Sequence, residues 1–94
     1  MKKDFELSEI ERYIQSVVLD FENRLDKDVI AEINHYLKHE EYEIAYEGLF
    51  LEIMKLKPMP SIDWTKSKHI AKLLNLDKES VLDDRFWAKI SEFN

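Results

Sequence analysis

Turn-forming residues are almost absent from this chain of 94 residues, and their scarcity limits the folds that it can adopt. The sequence contains one glycine and two prolines, and both prolines lie in the segment Pro58-Met59-Pro60. Proteins built only of strands need tight turns at short intervals, and those turns are usually rich in glycine and proline. The composition therefore argues against an all-β fold and favours helices, with the main break at the two prolines.

Apolar residues recur at helical spacing along most of the chain. Ser8-Glu9-Ile10-Glu11 is a capping box that would begin the first helix, and Asn75 suits the C-terminal end of the fourth. The pattern predicts an all-α protein, a single-domain antiparallel helical bundle over residues 1–94. It has four main helices plus a short extra C-terminal helical segment. The predicted helices cover residues 9–23, 27–38, 40 or 41 to 55, 63–74 and 83–92.

The predicted topology collects acidic residues at one end of the bundle. Short connections favour antiparallel neighbours, so alternate turns share an end. In an up-and-down arrangement, the turn near residues 39–41 and the turn near residues 75–82 would therefore meet. The acidic residues in or beside these two turns are Glu40, Glu41, Glu43, Asp77, Glu79, Asp83 and Asp84.

The distribution of charge indicates the kind of partner. The net charge is −6, but residues 4–54 hold 14 acidic and only 4 basic side chains, whereas residues 55–94 hold 6 acidic and 8 basic ones. Phosphate groups would be repelled by the first half, which argues against direct binding of nucleic acid. A basic protein is the complementary partner, although an acidic surface also serves solubility alone.

Several classes of protein are disfavoured by composition. Cysteine is absent, so neither disulfides nor thiol chemistry is possible. The N-terminus turns acidic at once and has no apolar stretch typical of a signal peptide, and no apolar run reaches the length of a membrane span. We therefore expect a cytoplasmic protein that does not bind membranes.

Few side chains suggest chemistry. His35 and His39 are four residues apart, and Glu43 follows four residues later, but a fourth metal ligand at a convincing spacing is missing. The chain has no glycine-rich phosphate loop and no nucleophile turn. We therefore predict no catalytic residues, no metal site, no cofactor and no enzymatic activity.

One motif leaves an alternative function open. His35-Tyr36-Leu37-Lys38 resembles the His-x-Leu-Lys core of histidine phosphotransfer domains, which are small acidic helical bundles. The small residues that normally follow the lysine are replaced here by His39-Glu40-Glu41, whose carboxylates would repel a phosphoryl group. Phosphotransfer through His35 and a general helical adaptor role are the two alternatives to the function considered next.

The segment from Val29 to Leu49 has a recognisable pattern. A helix is followed by the turn His39-Glu40-Glu41-Tyr42 and then by a helix that carries Ile44, Ala45, Glu47 and Leu49. This pattern resembles the MafI family of immunity proteins. The second half is similar too, with an apolar helix, the run Leu74-Asn75-Leu76-Asp77, and a terminal segment with Trp87. Glu40 departs from the family, in which a small residue, often glycine, is expected at the turn.

The resemblance implies a small helical antidote to a secreted toxin domain of an interbacterial competition system. Such a protein acts in the producer's cytoplasm by binding its cognate toxin, often a nuclease, rather than by catalysis. A basic nuclease domain would match the acidic character of this chain. The sequence leaves open whether the protein is a monomer or a dimer, and an exposed Trp87 and Phe93 would permit a dimer.

The candidate toxin-binding residues lie mainly at the predicted acidic end. Glu43 and Glu47 are four residues apart on what we expect to be an outward face. Repulsion between them costs stability, which suggests that the two carboxylates are kept for binding. Glu41 and Tyr42 have an equally good structural interpretation, as a helix cap and a packing residue. Gly48 is expected to allow the close approach of a neighbouring helix. The full predicted set is Glu40, Glu41, Tyr42, Glu43, Tyr46, Glu47, Asp83, Asp84 and Trp87.

Overall fold

The protein is helical throughout its regular secondary structure, and the computed structural model describes the backbone of residues 2–94 and the side chains of residues 7–94. That part contains no strand, and the Cα radius of gyration of 12.3 Å fits a packed chain of this length. The predicted all-α bundle with a short extra C-terminal helix is confirmed. The helices are α1 (Lys2–Asp20), α2 (Lys27–Lys38), α3 (Tyr42–Ile53), α4 (Trp64–Leu73) and α5 (Phe86–Ser91).

The predicted start of the first helix is wrong. Because α1 already begins at Lys2, Ser8 and Glu11 lie inside the helix and cannot form a capping box. Aspartates do cap two other helices. Asp26 accepts a hydrogen bond from the amide of the second residue of α2 at 3.0 Å, and Asp63 accepts one from the amide of Lys66 in α4, also at 3.0 Å.

Helix α3 lies at the centre of the bundle. It packs against α1, α2 and α5, and apolar side chains are distributed around its whole circumference. A helix of this composition is typically buried on more than one side. The buried residues of α3 are Ala45, Tyr46, Glu47, Leu49, Phe50 and Ile53.

A buried hydroxyl network joins three helices in the core. Ser67 of α4 is fully buried, and its carbonyl oxygen accepts a hydrogen bond from the hydroxyl of Tyr46 at 2.8 Å. The Ser67 hydroxyl donates to the carbonyl of Asp63 and accepts from the hydroxyl of Tyr13 in α1, also at 2.8 Å. Burial raises the pKa of both tyrosine hydroxyls, so they remain neutral donors. The network fixes α1 and α4 relative to α3.

Helix α2 ends in a Schellman motif without glycine. The amide of Glu41 donates to the carbonyl of Tyr36 at 2.8 Å, and the amide of Glu40 donates to that of Leu37 at 3.0 Å. Glu40 therefore adopts a φ of 59°, in the left-handed region that glycine occupies more easily. The sequence departs from the MafI pattern at this turn, yet the turn forms with Glu40 in the conformation that a glycine would favour.

Helix α4 ends in the same way at Asn75. The amide of Leu76 donates to the carbonyl of Ala71, and the amide of Asn75 donates to that of Lys72, both at 2.9 Å. Asn75 has a φ of 66°, and asparagine tolerates this region better than most residues. The predicted helix stop at Asn75 is confirmed.

None of the helices in the described part of the chain is both long enough and apolar enough to cross a membrane.

Candidate partner-binding site

Residues 79–83 form an irregular segment that lies along α3, and we call this segment the strap. The backbone amides of Val81, Leu82 and Asp83 all donate hydrogen bonds to the carboxylate of Glu47. The donor–acceptor distances are 2.6 Å, 3.0 Å and 2.7 Å, respectively. Hydrogen bonds to an ionised acceptor are stronger than those between neutral groups, so this carboxylate holds the strap to α3.

The prediction that Glu47 faces outward is therefore wrong. Its side chain has no exposed surface, whereas Glu43, one turn earlier, is exposed as predicted. The spacing of four residues places both on one side of α3, but the strap covers only the later position. A buried carboxylate requires partners, and the three strap amides supply them. Glu47 cannot contact a partner protein while the strap is in place.

The role predicted for Gly48 also needs correction. The strap, rather than a neighbouring helix, faces it, and a Cβ built on Gly48 would lie 3.5 Å from Cδ1 of Leu82. That distance is an ordinary van der Waals contact, so the packing here does not require glycine.

One side of the strap borders an open cleft that we call the acidic cleft, with a volume of about 690 Å³. It brings together the turn after α2 and the turn after α4, which confirms the predicted meeting of these two turns. Its lining residues are Glu40, Glu41, Glu43, Ile44, Leu74, Asn75, Glu79, Ser80 and Val81.

The acidic cleft combines negative charge with apolar surface. Its four glutamates are all exposed, and no Lys, Arg or His from residues 7–94 lines it. Val81 contributes an aliphatic side chain that is 54% exposed, and the half-buried Ile44 lies nearby in the same lining. Negative groups around an apolar patch suit a basic protein surface better than an apolar small molecule.

A second cleft borders the strap through Leu82 and Asp83. We call it the paired cleft, and its volume is about 430 Å³. Within it, Lys89 approaches Asp83 at 2.6 Å and Lys55 approaches Glu52 at 3.3 Å. Its lining residues are Val29, Glu32, Ile33, Tyr36, Gly48, Leu51, Glu52, Lys55, Leu82, Asp83 and Lys89.

The topology argument predicted that Asp83 belongs to the acidic end, and this prediction is wrong. The Lys89 ammonium lowers the pKa of its carboxyl group, and the hydrogen bond that it accepts from the Arg85 amide at 2.9 Å acts in the same direction. Asp84 is exposed but does not line the acidic cleft. The sequence argument grouped these aspartates with the turn, whereas the strap carries the chain away from it along α3.

The predicted aromatic anchors differ in accessibility. Tyr46 is fully buried in the hydroxyl network, so it cannot act as an anchor for a partner. Trp87 is half-buried, with the ammonium of Lys72 5.9 Å from its ring centre. Phe93 stacks on Trp64 with ring centres 4.4 Å apart, so it forms part of the packed interior rather than a free dimer contact.

Tyr42 packs against the hydrophobic core, but its hydrogen bond joins it to α1, whereas the structural interpretation placed it under the second helix. It is half-buried, and its hydroxyl donates to the carboxylate of Glu11 in α1 at 3.3 Å. Burial raises the pKa of the hydroxyl, and the negative charges of Glu11 and Glu40 raise it further. Glu41 precedes α3 but makes no side-chain capping bond, so it remains an exposed lining residue of the acidic cleft.

The histidines of α2 lie near its end. His35 is exposed, and its ring centre is 4.6 Å from that of His39, which is also exposed. Within residues that the structure describes, no three His, Asp or Glu side chains are placed to hold a metal ion. Phosphotransfer through His35 stays a prediction.

Six residues of the acidic cleft were missing from the predicted set. Glu79 could have been included, because the predicted topology already placed it beside the turn at Glu40. The apolar residues carried no signal of their own, because Leu74 is itself a buried core residue, and Ile44 and Val81 differ from core residues only in their exposure. The six are Ile44, Leu74, Asn75, Glu79, Ser80 and Val81.

Comparison of the chain with protein-family models, with curated proteins and with solved structures finds no match in any of the three. The resemblance to MafI immunity proteins therefore depends on the residues of the segment from Val29 to Leu49 and of the C-terminal half.

Proposed function

We propose that the chain is an immunity protein that neutralises a cognate toxin domain by binding it through the acidic cleft. The observation that carries the proposal is the cleft itself, in which four exposed glutamates surround aliphatic side chains without a cation among the described lining residues. The toxin is expected to be a basic domain, such as a nuclease, because surfaces that hold phosphate groups are basic.

The charge of the cleft supports binding rather than stability. Like charges one turn apart or facing across a cleft cost a few tenths of a kcal/mol each. No contact within the described chain compensates the four glutamates, unlike Glu52 and Asp83 of the paired cleft. A basic partner would compensate them and would also speed the encounter.

The size of the molecule is sufficient for a specific complex. Its accessible surface is 6282 Å², and a standard interface buries about 800 Å² on each partner, or roughly an eighth of that surface. The acidic cleft and the adjacent strap form the centre of such an area.

Charge reversal tests the proposal. The double variant Glu40→Lys with Glu43→Lys should weaken binding to the C-terminal domain encoded by the gene immediately upstream by at least about tenfold. It should also reduce the salt dependence of binding, because fewer opposed charges remain. Titration calorimetry at two salt concentrations measures both effects, and growth during co-expression measures protection.

The matched control reverses two carboxylates elsewhere. Glu9 and Glu22 are exposed and do not line the acidic cleft, so Glu9→Lys with Glu22→Lys changes net charge equally. Its affinity should change by less than about threefold if the cleft is the site. Equal losses in the two double variants would show that net charge alone matters, and no loss in either would contradict the proposal.

The exposed His35 permits a direct test of the alternative. Incubation with acetyl phosphate, with His35→Gln as the control, should leave the protein unphosphorylated. Stable phosphohistidine at His35 would favour phosphotransfer over immunity.

A further inference from the structure

We infer that Val81 and Leu82 form an apolar anchor on the strap that holds a basic protein segment against the acidic cleft, with Glu47 as the positioning residue. The inference deepens the proposed function and rests on it only for the identity of the partner. It assigns the partner's chemistry: a segment with Lys or Arg side chains beside aliphatic ones.

The strap exposes more aliphatic surface than its place in the fold requires. Val81 is 54% exposed and Leu82 is 52% exposed, and they are consecutive in the chain. Among residues 7–94, the other exposed large apolar side chains are Leu19, Met59 and Leu73, none adjacent to another in sequence. Val81 lines the acidic cleft and Leu82 lines the paired cleft, so the pair spans the strap between the two clefts. Single exposed apolar residues are normal, but an adjacent exposed pair suits an interaction surface.

The backbone beneath this pair is already fixed. The three amides of residues 81–83 are bound to Glu47, a side chain with no exposed surface of its own. Ordering a mobile loop on binding costs conformational entropy, and a segment that is held in advance avoids that cost. The buried carboxylate thus acts on binding through the strap without touching the partner.

Charge complementarity selects the occupant of the surface. Val81 lines the acidic cleft together with four exposed glutamates, so a partner that covers Val81 also faces those carboxylates. A second copy of the chain would bring like charges together, and a nucleic acid would bring phosphates. A basic segment with aliphatic side chains satisfies both parts of the surface.

A pair of synthetic peptides tests the inference without a known toxin. One is a 20-residue helical peptide of leucine and lysine, and the other replaces each leucine by glutamine at the same charge. Amide chemical shifts of the protein should change mainly at residues 40–44 and 79–83. The leucine peptide should bind at least fivefold more tightly than the glutamine peptide.

The variant Val81→Ser with Leu82→Ser should abolish that difference while circular dichroism stays unchanged, because both side chains are largely exposed. The matched control is Leu19→Ser with Leu73→Ser, which removes two exposed leucines elsewhere and should preserve the difference. A difference that survives the strap variant, or shift changes centred outside the two segments, would overturn the inference.

The role of Glu47 has its own test. Glu47→Gln replaces one acceptor oxygen by an amide group, so at least one strap amide loses its acceptor. Hydrogen exchange should accelerate at residues 81–83 but not in α2, and the affinity for the leucine peptide should fall at least threefold. Faster exchange in the strap with unchanged peptide affinity would overturn the positioning role.

The remaining outcomes separate the two proposals. If the upstream toxin domain does not bind but the peptide results hold, the proposed function fails and the inference stands. If Glu40→Lys with Glu43→Lys weakens toxin binding while the strap variant does not, the inference fails and the function stands. A dimer of the free chain that dissociates in the strap variant would make a second copy the occupant and would overturn the inference.

Discussion

The two clefts that border the strap carry similar numbers of carboxylates but differ in how those charges are compensated. In the paired cleft, Asp83 and Glu52 each have a lysine within ion-pair distance, at 2.6 Å and 3.3 Å. In the acidic cleft, four exposed glutamates line the wall with no lysine or arginine from the described side chains. The same segment of chain contributes to both.

The difference shows which surface has most of its carboxylates paired within a single chain. In the paired cleft, two of the three lining carboxylates, Glu52 and Asp83, are paired with lysines of the same chain, and Glu32 has no ion pair among the described side chains. The acidic cleft leaves its charges for solvent or for another protein. Burial of Glu47 reinforces the contrast, because one glutamate of α3 is used to build the site while Glu43, four residues earlier, remains available on its wall.

The largest expected effect comes from removal of the Glu47 carboxylate, which accepts the hydrogen bonds of the strap. Glu47→Ala should lower the free energy of unfolding by about 2–4 kcal/mol, since three backbone amides lose an ionised acceptor and a buried site is left empty. Urea denaturation measures the change. Glu43→Ala is the matched control and should change stability by no more than about 0.5 kcal/mol. Equal effects at the two positions would contradict the conclusion that Glu47 holds the strap in place whereas Glu43 only lines the acidic cleft.

The acidic cleft contains a position where glycine should be better than the native residue. Glu40→Gly should raise the free energy of unfolding by about 0.5–1 kcal/mol relative to Glu40→Ala, because both remove the charge but only glycine relieves the left-handed φ of 59°. Thermal denaturation of the two variants gives the comparison. Equal stability would mean that the turn imposes no backbone cost.

The paired cleft contains the opposite case, a glycine that the structure does not need. Gly48→Ala should raise the free energy of unfolding by about 0.5–1 kcal/mol, because alanine favours a helix and its Cβ would meet Leu82 at an ordinary 3.5 Å. Ala31→Gly, at an exposed position of α2, should show a loss of similar size. A destabilising Gly48→Ala would reveal tighter packing under the strap than the distances indicate.

A smaller effect should separate the charges of the two clefts. Glu43→Gln should raise stability by a few tenths of a kcal/mol at low salt, because it relieves repulsion by neighbouring carboxylates, and the gain should shrink at high salt. Glu52→Gln removes a paired carboxylate and should give no gain. Urea denaturation at two ionic strengths makes the measurement. A gain from both substitutions would indicate that net charge, not local pairing, sets stability.

The smallest expected effect is the titration of Asp83. Because Lys89 lowers its pKa in the folded state below the ordinary value of 3.8, its contribution to stability is complete above that pH and is lost as the pH falls through the folded-state pKa. Lys89→Met should raise the pKa towards 3.8, as measured by NMR of the carboxyl carbon. An unchanged value would mean that the ion pair does not persist in solution.

The helices could be predicted from the sequence because the regular spacing of apolar residues within each segment is visible without knowledge of the rest of the fold. The predicted ranges of the second and fourth helices lie within a residue of α2 and α4, and the stop at Asn75 follows from the conformational freedom of asparagine. The predicted first helix began too late because the capping box, a short motif of common residues, happened to occur inside a helix.

The burial of site residues depends on what packs against each helix, and spacing cannot show that. Glu43 and Glu47 are four residues apart, so helical spacing places them on the same side of α3, and only the strap makes one buried and the other exposed. The apolar residues all around α3 were the available signal, because a helix of that kind has little outward face. That signal would also have argued against Tyr46 as an accessible anchor. The clustering of Glu40, Glu41 and Glu43 beside the later turn followed from topology and was predictable.

The hydrogen bonds between Glu47 and the strap also bear on the order of folding. They join residues that are 34 to 36 positions apart in the chain, whereas α2 and α3 are neighbours joined by a short turn. Because closure of a long loop is entropically costly, we expect the α2–α3 hairpin to form first and the strap to dock late. Interactions that form after the transition state govern the unfolding rate. The buried carboxylate of Glu47 should therefore affect the rate of unfolding much more than the rate of folding.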